Sequence, residues 1–549
     1  MGKRGFNHGG STRKAGKLER ARFSDVFRLG RRQQPRTEAE LRTMADLIVR
    51  AQAYYDAQAW DETEPLVRDL LTYEEFRQPM AYDSLGAVLE RQGKIQEAIQ
   101  AFRKALEIDP TYAEARSRLI MIVDALPSTT AERAQKERDL WWQYHGADNY
   151  KRRTGHANHN RDPERPLRVG YVSGDYQFHS AATVFERVLL QHSEGVIPYF
   201  YSTTPHDKHD HKTVDYQSRG GWRDLRMDEG FLPDGRRKPG KLWPDAVIWD
   251  RIRDDQIDIL VDLSGYTACN SLPVFCFKPA PIQITGWGYA TGVGWKAMDY
   301  LMTDRVVVPE DRQHEHVERM LYMPCVINYE PMSGFPVQPN TLPCLSERPT
   351  FGVFQRSLKL NADEFEVWRR ILERLPESRL LFKSHYPKSL VEWILPHFGA
   401  QAPQVEFQFA TSSLAHKQAY SQVDLSLDCW PQTGGVSSCD SLWMGVPMVT
   451  LIGDRIIQRT SASLLTILGL TDFIVETKEQ YIDTAVTWVT TRKQELANIR
   501  TRLRDQCDAS PIRQGYLEAT ETAYRDVWRE WCAHPSLELF QRWAKEQAS

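Results

Sequence analysis

The chain has 549 residues, with 70 Lys and Arg against 73 Asp and Glu and a formal net charge of −3. This balance gives no overall attraction to nucleic acid or to acidic membranes, and no run of about 18 apolar residues is present that could span a bilayer. The eight cysteines form no CxxC pair and no apolar secretory segment stands at the start, so we expect reduced thiols and a cytoplasmic location.

Residues 1–37 are rich in Gly, Lys and Arg and poor in large aliphatic side chains. Such a composition cannot bury enough apolar surface to offset the entropy of ordering. We therefore predict a disordered basic tail, with contact to nucleic acid or phospholipid as the weaker alternative.

Apolar residues recur at helical spacing from 38 to 126, and residues 79–112 match the tetratricopeptide pattern. The matching positions are Tyr82, Leu85, Gly86, Gly93, Ala98, Phe102, Ala105 and Pro110. Because one repeat cannot bury its own face, we expect the flanking helices to be degenerate repeats. This surface either binds a partner protein or only stabilises the rest of the chain.

The remainder of the chain alternates strand and helix patterns. A helical linker (127–165) leads into one α/β segment (166–330), which a Pro-rich crossover (331–347) separates from a second segment (348–512). Residues 513–549 contain a closing helix. This alternation predicts two Rossmann-like α/β halves preceded by an all-α repeat region.

The second half carries the clearest chemical motif, VDLSLDCWPQTGGVSSCDSLWMG, at 423–445. An apolar strand, a Gly-rich turn and a helix N-terminus together expose backbone N–H groups and a positive dipole end, and a diphosphate suits such a site best. Asp440 is placed like the carboxylate that holds a ribose hydroxyl in dinucleotide-binding folds. A tight turn that binds nothing is the alternative.

Two further residues, one in each half, have side chains suited to catalysis. His179 follows the first strand of the first half, where an imidazole with an ordinary pKa of about 6.5 can accept or relay a proton. Lys359, in FQRSLKLN, can place a positive charge on a leaving group. Taken alone, a single His is more often a packing residue, and a Lys at a helix start is usually solvated.

These segments resemble the donor-site signature of the O-GlcNAc transferase/SPINDLY family of protein glycosyltransferases. In that family a His precedes a strand ending in Leu-Asp, a Gly-rich turn, a C/M-D/E-x-L-W-x-G-x-P segment and a later Arg. The counterparts here are His416, Leu427 with Asp428, the turn at 434–438, residues 439–447 and Arg459. The resemblance covers roughly 166–532, and with the repeats it covers most of the chain.

The resemblance implies a GT-B fold, in which two Rossmann-like domains face a cleft. It also implies inverting, metal-independent transfer of a sugar from a nucleotide sugar to Ser or Thr hydroxyls of proteins. UDP-GlcNAc is the expected donor, while the SPINDLY-like segments HKQAYS and GGWRD keep GDP-fucose open. Acceptor proteins are expected on the repeats, with no cofactor and no membrane or nucleic-acid partner. The rival interpretations are an interaction scaffold with an idle transferase half and another sugar-nucleotide enzyme, such as an epimerase.

The resemblance further implies roles for single residues. His179 matches the active-site His of the motif D-[FY]-x-x-H, and Lys359 matches an essential Lys that acts on the leaving group. The expected donor contacts are Gln355, Arg356, His416, Gly434, Gly435, Val436, Ser437, Ser438, Asp440 and Arg459. Tyr289 and Gly292 are expected on the acceptor side.

Three features depart from the family pattern or stand outside it. Gly221 occupies the position of a second active-site His, and Arg356 stands where many members have Gln or Asn. The three histidines of PHDKHDHK are expected to form a polar loop and not a metal site.

Overall fold

The computed structural model describes residues 37–152, 158, 160–231, 235, 237–332, 335, 342–346, 348–409 and 412–534. The predicted basic tail (1–37) lies almost entirely outside these residues. Parts of the linker, the crossover and the end of the 513–549 segment also lie outside them. Within the described ranges, no helix combines the length and apolarity that crossing a membrane requires.

Five antiparallel helices form the repeat region. They are α1 Glu38–Asp56, α2 Trp60–Leu70, α3 Pro79–Arg91, α4 Ile95–Ile108 and α5 Ala113–Ala125. Helices α3 and α4 are the predicted tetratricopeptide repeat, and their close approach depends on Gly86. A Cβ at this position would lie 2.5 Å from the ring of Phe102, which is completely buried. The predicted repeat is therefore confirmed.

We expect Gly86→Ala to destabilise the repeat by about 1–3 kcal/mol, because the added methyl group overpacks a ring that has no room to move. The free energy of unfolding by urea measures the effect. In a double-mutant cycle with Phe102→Leu, the Gly86→Ala cost should shrink, since the smaller side chain leaves space. An unchanged cost in the Phe102→Leu background would contradict this packing argument.

The linker helices attach the repeats to the first α/β half through tryptophans. After α6 (Ala131–Trp141) and a π-helical turn (Trp142–Gly146) comes α7 (Ala147–Lys151). The Trp141 ring stacks on Trp295 with a centroid distance of 5.3 Å and an interplanar angle of 7°. Trp142 stacks on the same ring at 5.5 Å.

The first half contains a seven-stranded parallel sheet. Its strands are β1 Leu167–Ser173, β2 Val196–Ser202, β3 Gly221–Asp224, β4 Ile259–Asp262, β5 Ile282–Thr285, β6 Tyr300–Thr303 and β7 Arg319–Tyr322. They are arranged in the order β3-β2-β1-β4-β5-β6-β7. The helices between them are α8 Glu186–Gln191, α9 His211–Arg219, α10 Asp245–Asp254 and α11 Leu272–Cys276. The strand order reverses between β1 and β4, so the carboxyl ends of these two strands border a crevice.

The second half repeats this plan. Its strands are β8 Thr350–Val353, β9 Arg379–Ser384, β10 Val405–Phe409, β11 Leu425–Leu427, β12 Met448–Leu451 and β13 Ile474–Val475. Their order is β10-β9-β8-β11-β12-β13, which is the 3-2-1-4-5-6 order of dinucleotide-binding folds. Its helices are α12 Pro343–Ser346, α13 Ala362–Arg374, α14 Lys388–Ile394, α15 Ser413–Gln418, α16 Val436–Trp443, α17 Thr460–Ile467, α18 Lys478–Val489 and α19 Lys493–Ala509. The predicted fold class is confirmed.

The last helix, α20 (Tyr516–Ala533), returns from the second half to pack on the first. The Glu521 carboxylate on this helix accepts hydrogen bonds from the N–H and the hydroxyl of Ser193, at 2.8 and 2.6 Å, and lies 2.9 Å from Nδ1 of His192. The two halves are thus joined at the chain end as well as at the crossover.

Candidate functional site

Lys359 and the Gly-rich turn meet at the switch point of the second sheet. Lys359 follows β8 and the turn follows β11, two neighbouring strands between which the strand order reverses. Its side chain is buried, and Nζ donates to the carbonyl oxygen of Thr433 at 2.8 Å. Two motifs that lie 74 residues apart are therefore held within one hydrogen bond of each other.

Some of the backbone N–H groups in the Gly-rich turn (434–438) already donate hydrogen bonds within the protein. The N–H of Gly434 donates to Oδ1 of Asp428 at 2.9 Å, and the N–H of Ser438 donates to the carbonyl oxygen of Gly435 at 3.0 Å. The N–H groups of Gly434 and Ser438 therefore already have acceptors within the protein. Among the described residues, the N–H groups of Gly435, Val436 and Ser437 at the start of α16 have no protein acceptor.

The sequence did not predict that the Asp428 carboxylate holds this turn in place through hydrogen bonds. Besides Gly434, its buried carboxylate accepts the N–H of Cys429 at 3.0 Å and the hydroxyl of Thr450 at 2.8 Å. Burial raises the pKa of Asp428, while Ser461 and Lys359 oppose the shift. The Leu-Asp ending of β11 was the available signal, since a carboxylate just beyond a buried strand must find donors nearby.

The surroundings of Lys359 lower the pKa of its side chain. Burial lowers the pKa of its ammonium group to about 8, Arg356 acts in the same direction, and Asp428 opposes the shift. The lysine is thus close to losing its charge in the free protein. An anion beside it would stabilise the charged form.

Gln355 and Ser437 link the two motifs. The Ser437 hydroxyl donates to Oε1 of Gln355 at 3.3 Å, and the hydroxyl of Tyr386 donates to the Gln355 carbonyl oxygen at 2.5 Å. Val436 is half-buried, and the next residue after Gln355, Arg356, is exposed. The hydrogen bond between Ser437 and Gln355 therefore joins the Gly-rich turn to the segment that carries Lys359.

An aromatic wall stands beside the turn and includes His416. The ring of Phe354 stacks on Tyr420 at 3.8 Å, and the His416 ring meets Phe354 edge-on at 5.6 Å. Burial lowers the pKa of His416 to about 4, and the ammonium groups of Lys383 and Lys417 act in the same direction. The imidazole is therefore neutral at pH 7, and it is the least buried of these three rings.

Asp440 lies on α16, the helix that begins at the turn. The hydroxyl of Tyr329, from the chain just before the crossover, donates to its carboxylate. Burial raises the pKa of Asp440 to about 6, against the hydrogen bond from Tyr329 and the charge of Lys417. The predicted ribose contact therefore already holds one protein donor.

His179 occupies the loop after β1, on the other side of the cleft. Its Nδ1 accepts the N–H of Ala181 at 3.2 Å and lies 3.2 Å from Oδ1 of Asp175, and 44% of its side chain is exposed. The short helix that follows, Ala181–Val184, packs near α16. The fold thus brings the His179 loop to the helix of the Gly-rich turn.

Arg459 has a different role from the predicted donor contact. Its guanidinium donates to the carbonyl oxygen of Val306 at 2.7 Å and to that of Gly453 at 2.8 Å. Since Val306 belongs to the first half, Arg459 ties the halves together. Its neighbour Ser461 supports the turn by donating to the Gly434 carbonyl oxygen at 3.2 Å.

The predicted acceptor-side residues, Tyr289 and Gly292, are both buried within the protein. Tyr289 is buried, and its hydroxyl donates to Oδ2 of Asp124 on α5 at 2.6 Å. A Cβ at Gly292 would lie 3.0 Å from Oε1 of Glu318, so this glycine is needed for packing within the protein. Both predictions are corrected, because the loop carrying these residues is used to hold the repeats against the first half.

The histidine-rich loop shows no arrangement for a metal. Nε2 of His206 lies 2.8 Å from Oδ2 of Asp224, and the rings of His206 and His209 are 5.3 Å apart. In the described ranges, no three His, Cys, Asp or Glu side chains come together as metal ligands would.

The chain matches the family described as Glycosyl transferase family 41 over residues 148–328 and 346–517, and the tetratricopeptide repeat over 81–112. It is 31% identical over 471 residues to the Arabidopsis thaliana "Probable UDP-N-acetylglucosamine--peptide N-acetylglucosaminyltransferase SPINDLY", which covers 80% of this chain and 48% of that protein. The namesake from Oryza sativa is 32% identical over 462 residues, covering 79% and 46%. The chain thus spans about half the length of these relatives.

Among solved structures, a point mutant of the Thermobaculum terrenum O-GlcNAc transferase superposes with a TM-score of 0.76. The match covers 91% of this chain and 100% of that one at 23% sequence identity. At this identity the superposition establishes the shared fold.

Proposed function

The chain belongs to glycosyl transferase family 41, as the resemblance predicted, and from this membership we propose that it transfers a sugar from a nucleotide sugar to Ser or Thr hydroxyls of proteins. UDP-GlcNAc is the proposed donor, since the plant relatives are named as probable UDP-N-acetylglucosamine--peptide N-acetylglucosaminyltransferases. Acceptor proteins would bind through the repeats, in the cytoplasm, and the reaction would need neither metal nor cofactor.

One observation supports this proposal most directly. Lys359 and the open N–H groups of Gly435, Val436 and Ser437 converge on one place at the sheet switch point. A diphosphate bound there would receive positive charge from the ammonium group and hydrogen bonds from the helix N-terminus. Both contacts strengthen as the glycosidic bond breaks and negative charge develops on the leaving oxygen.

In the proposed displacement, every bond, electron pair and proton is accounted for. The acceptor hydroxyl attacks the anomeric carbon from the face opposite the nucleoside diphosphate, so that the configuration inverts. The electron pair of the breaking bond goes to the phosphate oxygen near Lys359. The hydroxyl proton goes to a base, for which His179 is the candidate because its loop borders the cleft beside α16.

His416 and Asp440 complete the proposed donor site. The neutral His416 ring, supported edge-on by Phe354, would stack the base, and Asp440 would accept a ribose hydroxyl in addition to the bond from Tyr329. Gln355 and Ser437 lie between this wall and Lys359, within reach of the phosphates or the sugar.

Thermal melting with UDP, GDP and their sugar conjugates tests the donor. A ligand at about 100 times its dissociation constant adds about 2.7 kcal/mol to the folded state, so a clear rise in Tm is expected with UDP and UDP-GlcNAc. The rise should be weaker in Lys359→Ala. A rise with GDP and GDP-fucose alone would replace the proposed donor by GDP-fucose. No rise with any of them would favour the interaction scaffold.

A further inference from the structure

Arg356 lies at the seam between the second half and the repeats. The hydroxyl of its neighbour Ser357 donates to the carbonyl oxygen of Glu90 at 3.4 Å, and Leu358 is part of the hydrophobic core of the repeats. Glu90 and Arg91 end helix α3. The contact between Ser357 and Glu90 therefore places Arg356 beside Arg91.

Neither arginine has a protein partner among the described residues. Arg356 is exposed and Arg91 is half-exposed, and no carboxylate or carbonyl oxygen accepts a hydrogen bond from either guanidinium. The other arginine that reaches this seam from the second half, Arg455, is fully engaged with the carbonyl oxygens of Asp124 and Leu126, at 2.8 and 3.1 Å.

The local charge balance is positive. Solvent reaches the Arg356 side chain, but the protein packed around the guanidinium lowers its pKa; Arg91 acts in the same direction, and Glu90 and Tyr289 oppose the shift. The charge of Arg356 in turn lowers the pKa of Lys359, which has Asp428 and Glu364 nearby. Arg91 and Arg356 thus share one carboxylate, Glu90, because the nearby Asp124 already pairs with Arg138 at 2.6 Å. Such a cluster gains stability from an added anion.

The donor diphosphate does not account for both arginines. Its proposed contacts, Lys359 and the start of α16, come from the buried floor of the second half. Arg356, which the resemblance places among the donor contacts, has an exposed side chain, and Arg91 belongs to the repeats, which are the expected acceptor platform.

A cavity of about 430 Å³ lies along the same seam and reaches from Gln92, the residue after Arg91, to Lys359. Its lining includes Gln92, Leu126, Lys359 and Trp393. A polypeptide segment bound in this cavity would lie between the repeats and Lys359.

We infer that Arg91 and Arg356 form an anion site for a carboxylate of the acceptor polypeptide, so that the enzyme selects Ser or Thr residues with a nearby Asp or Glu. The inference rests on the proposed function. A guanidinium binds a carboxylate through two parallel hydrogen bonds, and two guanidinium groups at one seam give the segment a fixed position relative to Lys359.

Fluorescence anisotropy with two labelled peptides tests the inference. One peptide has a central serine flanked by glutamates, and the other has glutamines at the same positions. In the presence of UDP, the wild-type protein should bind the glutamate peptide about tenfold more tightly, since tenfold corresponds to one charge-assisted contact. Arg91→Gln and Arg356→Gln should each bind the two peptides equally well. In the wild-type protein, higher ionic strength should reduce the difference in affinity between the two peptides.

Arg103→Gln is the matched control, because Arg103 is an exposed arginine on helix α4 of the same repeat. It changes the net charge equally and should keep the preference, and Arg91→Lys should keep part of it. Equal binding of the two peptides to the wild type would overturn the inference, as would equal loss in Arg103→Gln. If both seam variants weakened UDP binding while the peptide preference persisted, the anion would be the donor phosphate. Failure of UDP to bind the wild type would instead count against the proposed function.

Discussion

Lys359→Met is expected to slow sugar transfer by at least about a hundredfold, because removing one preorganised donor to a developing oxyanion costs about 10²–10³ in kcat. The methionine keeps the volume of the buried side chain and removes its charge. The rate of nucleotide release from the nucleotide sugar measures the effect. Lys388→Met is the control, since that lysine lies on the surface with 84% of its side chain exposed, and it should leave the rate unchanged.

The titration of Lys359 gives a second readout of the same role. Its pKa of about 8 in the free protein means that the ammonium group loses its proton as pH rises through 8. The affinity for UDP should therefore fall between about pH 8 and pH 10, while Lys359→Arg should show no such fall, since arginine stays charged. A Lys359→Met variant with more than a tenth of the wild-type rate would refute the proposed contact with the leaving group.

Asp124→Ala is expected to destabilise the protein by about 3–5 kcal/mol, because it leaves a buried guanidinium without its counter-charge. The Asp124 carboxylate accepts two hydrogen bonds from Arg138, at 3.1 and 2.6 Å, one from the hydroxyl of Tyr289 at 2.6 Å and one from that of Thr291 at 3.1 Å. Both charged side chains are about 95% buried. The substitution therefore breaks the junction between the repeats and the first half.

Urea unfolding and limited proteolysis would measure this loss. Cleavage should appear first between the repeats and the first half, since the junction opens before either core does. Glu38→Ala removes an exposed carboxylate from a surface pair with Arg42 and should leave the unfolding midpoint unchanged. If Asp124→Ala unfolded at the same urea concentration as Glu38→Ala, the junction would not depend on this cluster.

The successes of the sequence reading share one physical basis. The repeat, the two sets of parallel strands and the Gly-rich turn are all encoded by short-range periodicity and by residues with special backbone requirements. Lys359 and the turn were each recognisable from local motifs and their resemblance to a family. Their meeting follows once both motifs stand at the carboxyl ends of adjacent parallel strands.

The errors have a common cause as well. Gly434, Tyr289, Gly292 and Arg459 were expected at a ligand because the family resemblance implied it. In the fold these groups contact Asp428, Asp124, Glu318 and Val306. A buried donor binds the nearest acceptor, and no local pattern shows which distant residue supplies it.

The sequence alone therefore determined the architecture and the family, and it predicted the groups that we propose around the leaving phosphate, since all of these depend on periodicity and contiguous motifs. Only the tertiary structure decided which N–H groups stay open, how the repeats dock, and that Arg91 and Arg356 meet at one seam, where neither has a hydrogen-bond acceptor among the described residues. These features depend on contacts between residues 74 to 267 positions apart, such as Lys359 with Thr433 and Ser357 with Glu90 of the repeats. Such contacts form only when packing brings distant segments together. The free energy of that packing is a sum over the whole chain, so no single motif reveals it.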